Sequence, residues 1–190
     1  MNVIGVSGLP GSGKNIISKI AKERFIHVIK MGNMVREEAK KRDGDPGKTA
    51  IDLRKEHGEY VLAKLTIEKI KSLSNLDKNC KNSKKADIDD FFVIEGIRSQ
   101  FEIELFRKSF KNFKLISVFS SPKTRFNRLK NRQRDDDSQE YESFLKRDQR
   151  ELNFGIGNVI ATSDFIIINE NGLDEYRTQI NNLFDNLLFC

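Results

Sequence analysis

Cysteine, histidine and long apolar runs are scarce in this sequence, and their scarcity excludes several classes of protein. The two cysteines, Cys80 and Cys190, lie in a polar segment and at the last position, so neither a metal-binding quartet nor a disulfide framework can be read from them. The two histidines fall outside every motif described below. No apolar run approaches the roughly 20 residues of a membrane span, and the N-terminus lacks the basic start and apolar core of a secretory signal. We therefore expect a cytoplasmic protein with no membrane partner.

Acidic residues are absent from one stretch that carries much positive charge. Between Lys123 and Arg134 there are six basic residues and no Asp or Glu, whereas the whole chain has 34 Lys+Arg against 28 Asp+Glu and a net charge of +6. That stretch alone matches the net charge of the chain. Such an excess suits a polyanionic partner, which includes nucleotides, nucleic acids and acidic lipids.

What is present is an alternation of strands and helices. The chain has 190 residues, of which 37% are hydrophobic and 33% charged, which is typical of one globular domain spanning 1–190. Five short, mostly continuous apolar runs predict strands that are covered on both faces, at 2–7, 25–30, 91–96, 114–120 and 164–169. Amphipathic helical patterns separate these runs. The predicted fold class is therefore α/β, with a five-stranded parallel sheet between helices.

The connection between the second and third predicted strands is longer than a simple crossover requires. Residues 33–73 are charged and helical in pattern, with interruptions near Gly44, Pro46 and Gly58, and predict a helical excursion over the sheet edge. Residues 74–90 are rich in Asn, Lys and Asp and contain few apolar residues. We predict a polar loop there that carries no chemistry.

A glycine-rich segment directly after the first predicted strand carries the strongest functional signal. It reads GLPGSGKN and follows the pattern G-x-x-x-x-G-K, with glycines that let successive backbone N–H groups turn toward anionic oxygens. The amphipathic helix that follows adds its positive end, and Lys14 adds a charge that can follow a moving phosphoryl group. The segment predicts a nucleotide-phosphate site formed by Gly8, Leu9, Pro10, Gly11, Ser12, Gly13, Lys14 and Asn15.

Asn15 stands where a serine or threonine usually contacts the metal ion in this pattern. It is either a metal ligand through its amide oxygen or only a residue of the helix N-terminus. The segment closely resembles the phosphate loop of adenylate kinases and related nucleoside monophosphate kinases, which commonly have glycine at this position. The resemblance implies ATP and Mg²⁺ as cofactors and a sheet order of 2-3-1-4-5. Because Mg²⁺ keeps several waters, a protein hydroxyl group in its shell is dispensable.

Two further segments resemble the acceptor side of the same kinases. Residues 31–36 are similar to T-G-D-x-x-R with Asn33 in place of the acid, which implies that Arg36 binds the acceptor phosphate. The segment from Glu95 to Arg98 resembles D-G-F-P-R. This resemblance implies that Glu95 orients Mg²⁺ through water and that Arg98 is a second ligand of the acceptor phosphate.

A single arginine on a helix is ordinarily a solvated surface residue. The functional assignment of Arg36 and Arg98 therefore depends on where they lie in the predicted fold. Arg36 and Arg98 both follow the carboxyl end of a predicted strand, which is the edge where open α/β sheets bind ligands. Glu102 stands where adenylate kinases carry a glutamine that contacts the base, so it is the candidate for substrate binding there. Because the residue differs, the base specificity of those kinases does not carry over.

The basic stretch predicts a helix from Pro122 in which Arg125, Arg128 and Arg132 share one face. Residues 123–151 resemble the lid of short-lid nucleotide kinases. The resemblance implies that Arg128 lies near the donor base and that Arg132, Arg134 and Arg147 surround the transferring phosphoryl group. The turn at 169–172 resembles the donor-adenine loop, which makes Asn169 a candidate donor contact, although a turn and helix cap explain it equally well.

Nearly the whole chain outside residues 74–90 resembles an archaeal family of adenylate-kinase-related P-loop proteins. The resemblance implies an ATP- and Mg²⁺-dependent phosphotransferase whose small-molecule acceptor already bears a phosphate, such as AMP. Three alternatives remain open. A hydroxyl acceptor, as in dephospho-coenzyme A kinases, requires a carboxylate base where Asn33 stands. A regulatory nucleotide-binding NTPase requires a protein partner, and a nucleic-acid binder lacks the usual aromatic stacking motif.

Overall fold

The chain folds around a five-stranded parallel sheet. The computed structural model describes residues 1–79, 91–132 and 140–189. The strands are β1 (Asn2–Ser7), β2 (His27–Lys30), β3 (Phe91–Ile97), β4 (Asn112–Phe119) and β5 (Phe165–Ile168), in the order β2-β3-β1-β4-β5. Every neighbouring pair is parallel. The predicted fold class and strand order are confirmed.

Helices connect the strands and cover the sheet. In chain order the described helices are α1 (Lys14–Glu23), α2 (Met31–Lys41), α3 (Pro46–His57), α4 (Val61–Asn79), α5 (Gln100–Ser109), α6 (Pro122–Arg132), α7 (Tyr141–Asn153), α8 (Ile156–Ala161) and α9 (Leu173–Phe189). Within the described part of the chain, no helix is both long enough and apolar enough to cross a bilayer.

Successive residues of the central strand β1 belong to two different apolar cores. Val3 packs in one core with Phe106 of α5, and Ile4 packs in the other with Ile17 of α1 and Phe184 of α9. Both faces of the sheet are therefore buried at β1, which explains its nearly continuous apolar run, whereas Ile166 and Ile168 of the edge strand β5 are exposed. The polar turns that follow the strands lie together at the carboxyl edge of the sheet.

β2 begins two residues later than its apolar run predicts. Phe25 has a φ of 61° and is 72% exposed. The N–H of Ile26 donates back to the carbonyl of Ala21 at the end of α1. The first residues of the run therefore form the turn that brings the chain from the helix to the sheet edge.

The excursion between β2 and β3 consists of α2, α3 and α4. The prediction of a polar loop over 74–90 is wrong for residues 74–79, which continue α4. The earlier turns of this helix are anchored by buried residues such as Leu62, Ile67 and Ile70, and an established helix propagates through polar sequence more easily than it starts there. Residues 80–90 lie outside the described part of the chain.

Candidate functional site

The phosphate loop connects β1 to α1 and is packed closely against its neighbours. Gly11 and Gly13 have positive φ angles of 83° and 99°. A Cβ atom on Gly11 would lie 2.6 Å from the carbonyl oxygen of Arg125, and a Cβ on Gly13 would collide with the side-chain amide of Asn169. Glycine is required at both positions for two reasons. The φ angles are positive, and neighbouring backbone and side-chain groups leave no space for a Cβ atom.

Lys14 folds back over this loop. Its Nζ donates to the carbonyl oxygens of Gly8 and Leu9, at 2.7 and 3.2 Å. The residue as a whole is half-buried, but its ammonium group lies within the site, and this burial lowers the pKa of Lys14 to about 8. The nearby carboxylates of Glu95 and Glu151 raise the pKa, whereas Arg98 and Arg147 lower it further. An anion bound at the loop would restore a full charge on this lysine.

Two cavities meet at the phosphate loop. The first has a volume of about 410 Å³ and lies between the loop, α6 and the start of α9. The second, of about 880 Å³, lies between the loop, the excursion and the ends of β2 and β3. We call them the donor cavity and the acceptor cleft, after the roles proposed below. Both are lined by Gly11, Lys14, Glu95 and Arg132.

Buried and half-buried hydrogen bonds hold the wall of the donor cavity. Asn169 donates from Nδ2 to the carbonyl oxygen of Ser12 at 2.8 Å. Arg128 donates to the backbone oxygen of Asn169 at 3.0 Å and to its Oδ1 at 3.2 Å. The hydroxyl of Tyr176 donates to the carbonyl oxygen of Gly13 at 3.2 Å, and burial raises the pKa of this tyrosine. Arg128 and Asn169, both predicted as donor contacts, therefore line this cavity, as does Asn15.

The acceptor cleft brings together cations that are distant in sequence. Arg36, Arg98, Arg132 and Arg147 all line it together with Lys14. Arg36 contacts the Oδ1 of Asn33 at 3.2 Å. Arg98 forms an ion pair with Glu151 at 3.1 Å. Four of the five predicted phosphate-binding arginines on this side thus share one cleft, and Arg134 lies outside the described residues.

Glu95 lies on the wall that the two cavities share. Its Oε2 accepts a hydrogen bond from the hydroxyl of Ser18 and forms an ion pair with Lys30 at 3.1 Å. Neither partner was predicted from the sequence. Lys30 nevertheless ends β2 at the carboxyl edge of the sheet, so its position carried a signal. Among the described residues there is no cluster of three or more His, Cys, Asp or Glu side chains that could hold a metal ion by themselves.

Glu102 requires a correction, because it does not face the acceptor cleft. It is fully buried, and its Oε1 accepts a hydrogen bond from Arg54 at 2.8 Å. Its Oε2 accepts the backbone N–H groups of Arg98 and Ser99, at 2.7 and 3.2 Å. Glu102 and Ser99 form a capping box at the start of α5, and the sequence S-Q-F-E already contained this signature. We therefore assign Glu102 to positioning Arg98 rather than to substrate binding.

Arg125 also differs from the prediction, which placed it on a basic face with Arg128 and Arg132. It is 2% exposed and binds both carboxylate oxygens of Asp148, at 2.7 and 2.5 Å. It also donates to the carbonyl oxygen of Pro10 at 3.2 Å and packs over the ring of Phe144. Arg125 therefore connects α6 and α7 to the phosphate loop, although helical spacing alone does not separate it from Arg128 and Arg132, which are half-buried.

Comparisons with known proteins agree with this architecture. A protein-family model described as an AAA domain matches residues 7–144. Two solved shikimate kinases share the fold. The enzyme from Bacteroides thetaiotaomicron has a TM-score of 0.59 and 14% identity, with 98% of each chain covered. The enzyme from Acinetobacter baumannii, in complex with shikimate, has a TM-score of 0.57 and 12% identity, with 99% of this chain and 93% of the other covered. The chain is thus a P-loop protein with a kinase-like fold.

Relatives in archaea identify the family more closely. A UPF0200 protein from Methanothermobacter thermautotrophicus is 50% identical over 179 residues, covering 94% of this chain and 87% of the relative. A UPF0200 protein from Pyrococcus furiosus is 41% identical over 188 residues, with 95% of each chain covered. The chain belongs to the UPF0200 family, which confirms the predicted relationship to archaeal P-loop proteins.

Proposed function

We propose that this protein is an ATP-dependent phosphotransferase that moves the γ-phosphoryl group of ATP to a small acceptor that already bears a phosphate, with a nucleoside monophosphate such as AMP as the leading candidate. The observation that carries the proposal is the meeting of two cavities at one phosphate loop, with Lys14, Glu95 and Arg132 on the wall they share. A transfer reaction requires donor and acceptor to approach one another from two sides of the same group.

On the donor side, the phosphates of ATP would bind the backbone N–H groups of the loop and the start of α1. The N-cap of this helix, Gly13, contributes no side-chain hydrogen bond that would compete with an anion. The donor cavity of about 410 Å³ lies within the range of small-molecule sites and would hold the nucleoside. Arg128 and Asn169 form its wall, and Tyr176 gives it one aromatic side chain.

The residues present also fit Mg²⁺. This ion is commonly bound through one or two carboxylates, substrate phosphates and waters, which matches one carboxylate, Glu95, beside a phosphate loop. Asn15 lines the donor cavity and is the candidate for an additional oxygen ligand. When bound, the ion would neutralise charge on the phosphate oxygens during transfer.

On the acceptor side, Arg36 and Arg98 would hold the acceptor phosphate, with Arg132 and Arg147 nearer the transferring group. An ionised phosphate is already a nucleophile, so it needs orientation more than it needs a general base. Asn33, which contacts Arg36, is consistent with this need because an uncharged side chain does not repel an anion.

Phosphorylation of a hydroxyl group is the alternative reaction for the same fold. It needs a carboxylate in contact with the acceptor. Glu95 is the carboxylate on the shared wall, and both Ser18 and Lys30 engage its Oε2 in this structure. Glu102 is buried in the capping box. Glu37 and Asp45 also line the cleft, and the Oδ1 of Asp45 accepts the backbone N–H of Lys48 at the start of α3. The carboxylate on the wall where transfer would occur is thus already engaged, which favours a phosphate acceptor.

The test is a panel of acceptors incubated with the purified protein and ATP·Mg²⁺, followed by separation of the products. We expect ADP to form in a manner that depends on a monophosphate acceptor and that is lost in Lys14→Ala. Transfer to a hydroxyl compound alone would select the alternative reaction. ATP turnover that is equal with and without every acceptor would reject the proposal in favour of a regulatory NTPase.

A further inference from the structure

We infer that the acceptor carries a second anionic group beyond its reacting phosphate, and that Lys22, Lys40 and Lys69 bind this second group. Within the class of phosphate-bearing acceptors proposed above, this inference favours a nucleotide with two separated phosphates over AMP, which would occupy only the reacting-phosphate part of the cleft. The inference rests on the proposed function in placing the reacting phosphate between Arg36 and the phosphate loop.

The charge of the acceptor cleft exceeds what one phosphate requires. Nine basic and three acidic residues line the cleft, whereas three basic residues and one acidic residue line the donor cavity. Five of the nine are the Lys14 side chain and the four arginines already assigned to the reacting groups. Lys30 forms an ion pair with Glu95, which leaves three lysines without a role.

Two of these three lysines lie farther along their helices than the residues assigned to the reacting groups. Lys14 and Lys22 are on the same helix and both line the cleft, and eight residues at 1.5 Å rise separate them by about 12 Å. Lys40 is one helical turn beyond Arg36 on α2, a helix that begins at the carboxyl edge of the sheet. Lys69 of α4 supplies the third position. Lys22 and Lys40 thus lie farther along their helices than Lys14 and Arg36, and all three lysines line the same cleft.

The lysines differ from the usual charged residues of a solvated surface. Each is exposed, and across the described ranges none of the three forms an ion pair. On the same α2, the neighbouring Lys41 pairs with Glu38 at 3.4 Å. Three like charges facing one cleft repel one another, and an anion bound between them removes this repulsion.

The walls of the cleft point to recognition by charge rather than by stacking. None of its described lining residues is aromatic, whereas the donor cavity contains Tyr176. The volume of about 880 Å³ is about twice that of the donor cavity. A larger cleft with nine basic lining residues fits a longer and more highly charged molecule than AMP.

The experiment compares the binding of AMP and adenosine 3′,5′-bisphosphate by calorimetry, with and without a non-hydrolysable ATP analogue that occupies the donor side. We expect the bisphosphate to bind about tenfold more tightly than AMP near 50 mM salt, and this preference to shrink near 0.5 M salt because the charges are then screened. Equal affinity of the two nucleotides would overturn the inference.

Two matched triple variants test which lysines are responsible. K22Q/K40Q/K69Q removes the three cleft lysines, and K19Q/K41Q/K71Q removes three exposed lysines from the same helices that do not line the cleft. Glutamine has nearly the helix propensity of lysine, so both variants should fold. We expect the first variant to reduce the preference to less than about twofold and the second to retain it. The same outcome for both variants would overturn the assignment.

Two further outcomes separate this inference from the proposed function. A preference for the bisphosphate without ATP-dependent transfer would leave the second anion site standing and reject the phosphotransferase. Transfer to AMP without any preference for the bisphosphate would support the phosphotransferase and reject the second anion site. A 5′-phosphorylated trinucleotide that binds more than about tenfold more tightly than the bisphosphate would overturn the commitment to a small acceptor and indicate a polynucleotide end.

Discussion

The donor cavity and the acceptor cleft share one phosphate loop but are built differently. The donor wall is held by buried side chains, such as Asn169 and Tyr176, that donate hydrogen bonds to the backbone of the loop. Nine long basic side chains line the acceptor cleft, and several of them are exposed. The difference teaches that the donor side is specified by packing and backbone geometry, whereas the acceptor side is specified mainly by charge.

Arg98 is the exception on the acceptor side, because its position is held from two directions. Glu102 accepts its backbone N–H, and Glu151 pairs with its guanidinium group. Arg36 contacts Asn33 one turn earlier on its own helix. Substitutions on the donor side should therefore affect mainly stability, and substitutions on the acceptor side should affect mainly acceptor binding.

We expect the largest effect from a substitution that breaks the connection between α6, α7 and the phosphate loop. Asp148→Ala leaves Arg125 buried without its carboxylate partner, which should lower the free energy of unfolding by about 3–5 kcal/mol. Urea denaturation measures this loss. Asp185→Ala is the control, because Asp185 pairs with Arg24 at the same distance of 2.5 Å but is 53% exposed. Its loss should cost less than about 1 kcal/mol. Equal losses would refute the structural role of Arg125.

The next effect separates the two sides functionally. Arg36→Ala should weaken acceptor binding by about 1.5–3 kcal/mol, which is the contribution of hydrogen bonds to a charged group, and should leave ATP affinity within about twofold. Titration with each nucleotide measures both. Lys41→Ala on the same helix is the control, since Lys41 does not line the cleft. Simultaneous loss of ATP and acceptor binding would contradict the division of the site.

A comparison of two asparagines tests the donor wall. Asn169→Ala removes a buried hydrogen bond to Ser12 and a half-buried one from Arg128, so it should lower the free energy of unfolding by about 1–3 kcal/mol and weaken ATP binding. Asn171→Ala changes an exposed residue that lines the same cavity and should cost less than about 0.5 kcal/mol. If Asn171→Ala proves the more damaging for stability, the wall is not held as described.

The smallest effect is a pH dependence at the shared loop. Burial lowers the pKa of Lys14 from 10.5 to about 8, so above pH 8 the free protein must take up a proton to bind an anion with a charged lysine. ATP affinity should fall by up to about tenfold per pH unit above this value, and calorimetry at pH 9 in two buffers should detect proton uptake. A similar slope in Lys14→Met would assign the titration to another group.

The lowered pKa of Lys14 also makes the free energy of unfolding depend on pH. The pKa of Lys14 in the folded protein is below its unfolded value, so the unfolded chain binds more protons between about pH 8 and pH 10.5. The contribution of Lys14 to the free energy of unfolding therefore rises over this window and is lost as the pH falls through 8.

Local patterns predicted the parts of the site that are contiguous in sequence. Gly8 to Lys14 form one turn between a strand and a helix, so the order of residues describes the whole phosphate loop. Arg36 and Arg98 follow strands, and the parallel sheet brings all carboxyl ends to one edge. Their placement beside Lys14 in one cleft agrees with the sequence-based expectation. Their chemical roles stay proposals until acceptor binding is measured.

Such local patterns do not predict which residues of distant elements pair with one another. Arg125 lies 23 residues from Asp148, and Arg54 lies 48 residues from Glu102. Helical periodicity predicts that residues share a face but does not predict what packs against that face. The basic character of 123–134 and the capping signature at Ser99 were therefore readable from composition and spacing. Only the packed helices established that Arg125 is buried and that Glu102 supports Arg98, because burial depends on which elements meet once the chain has folded.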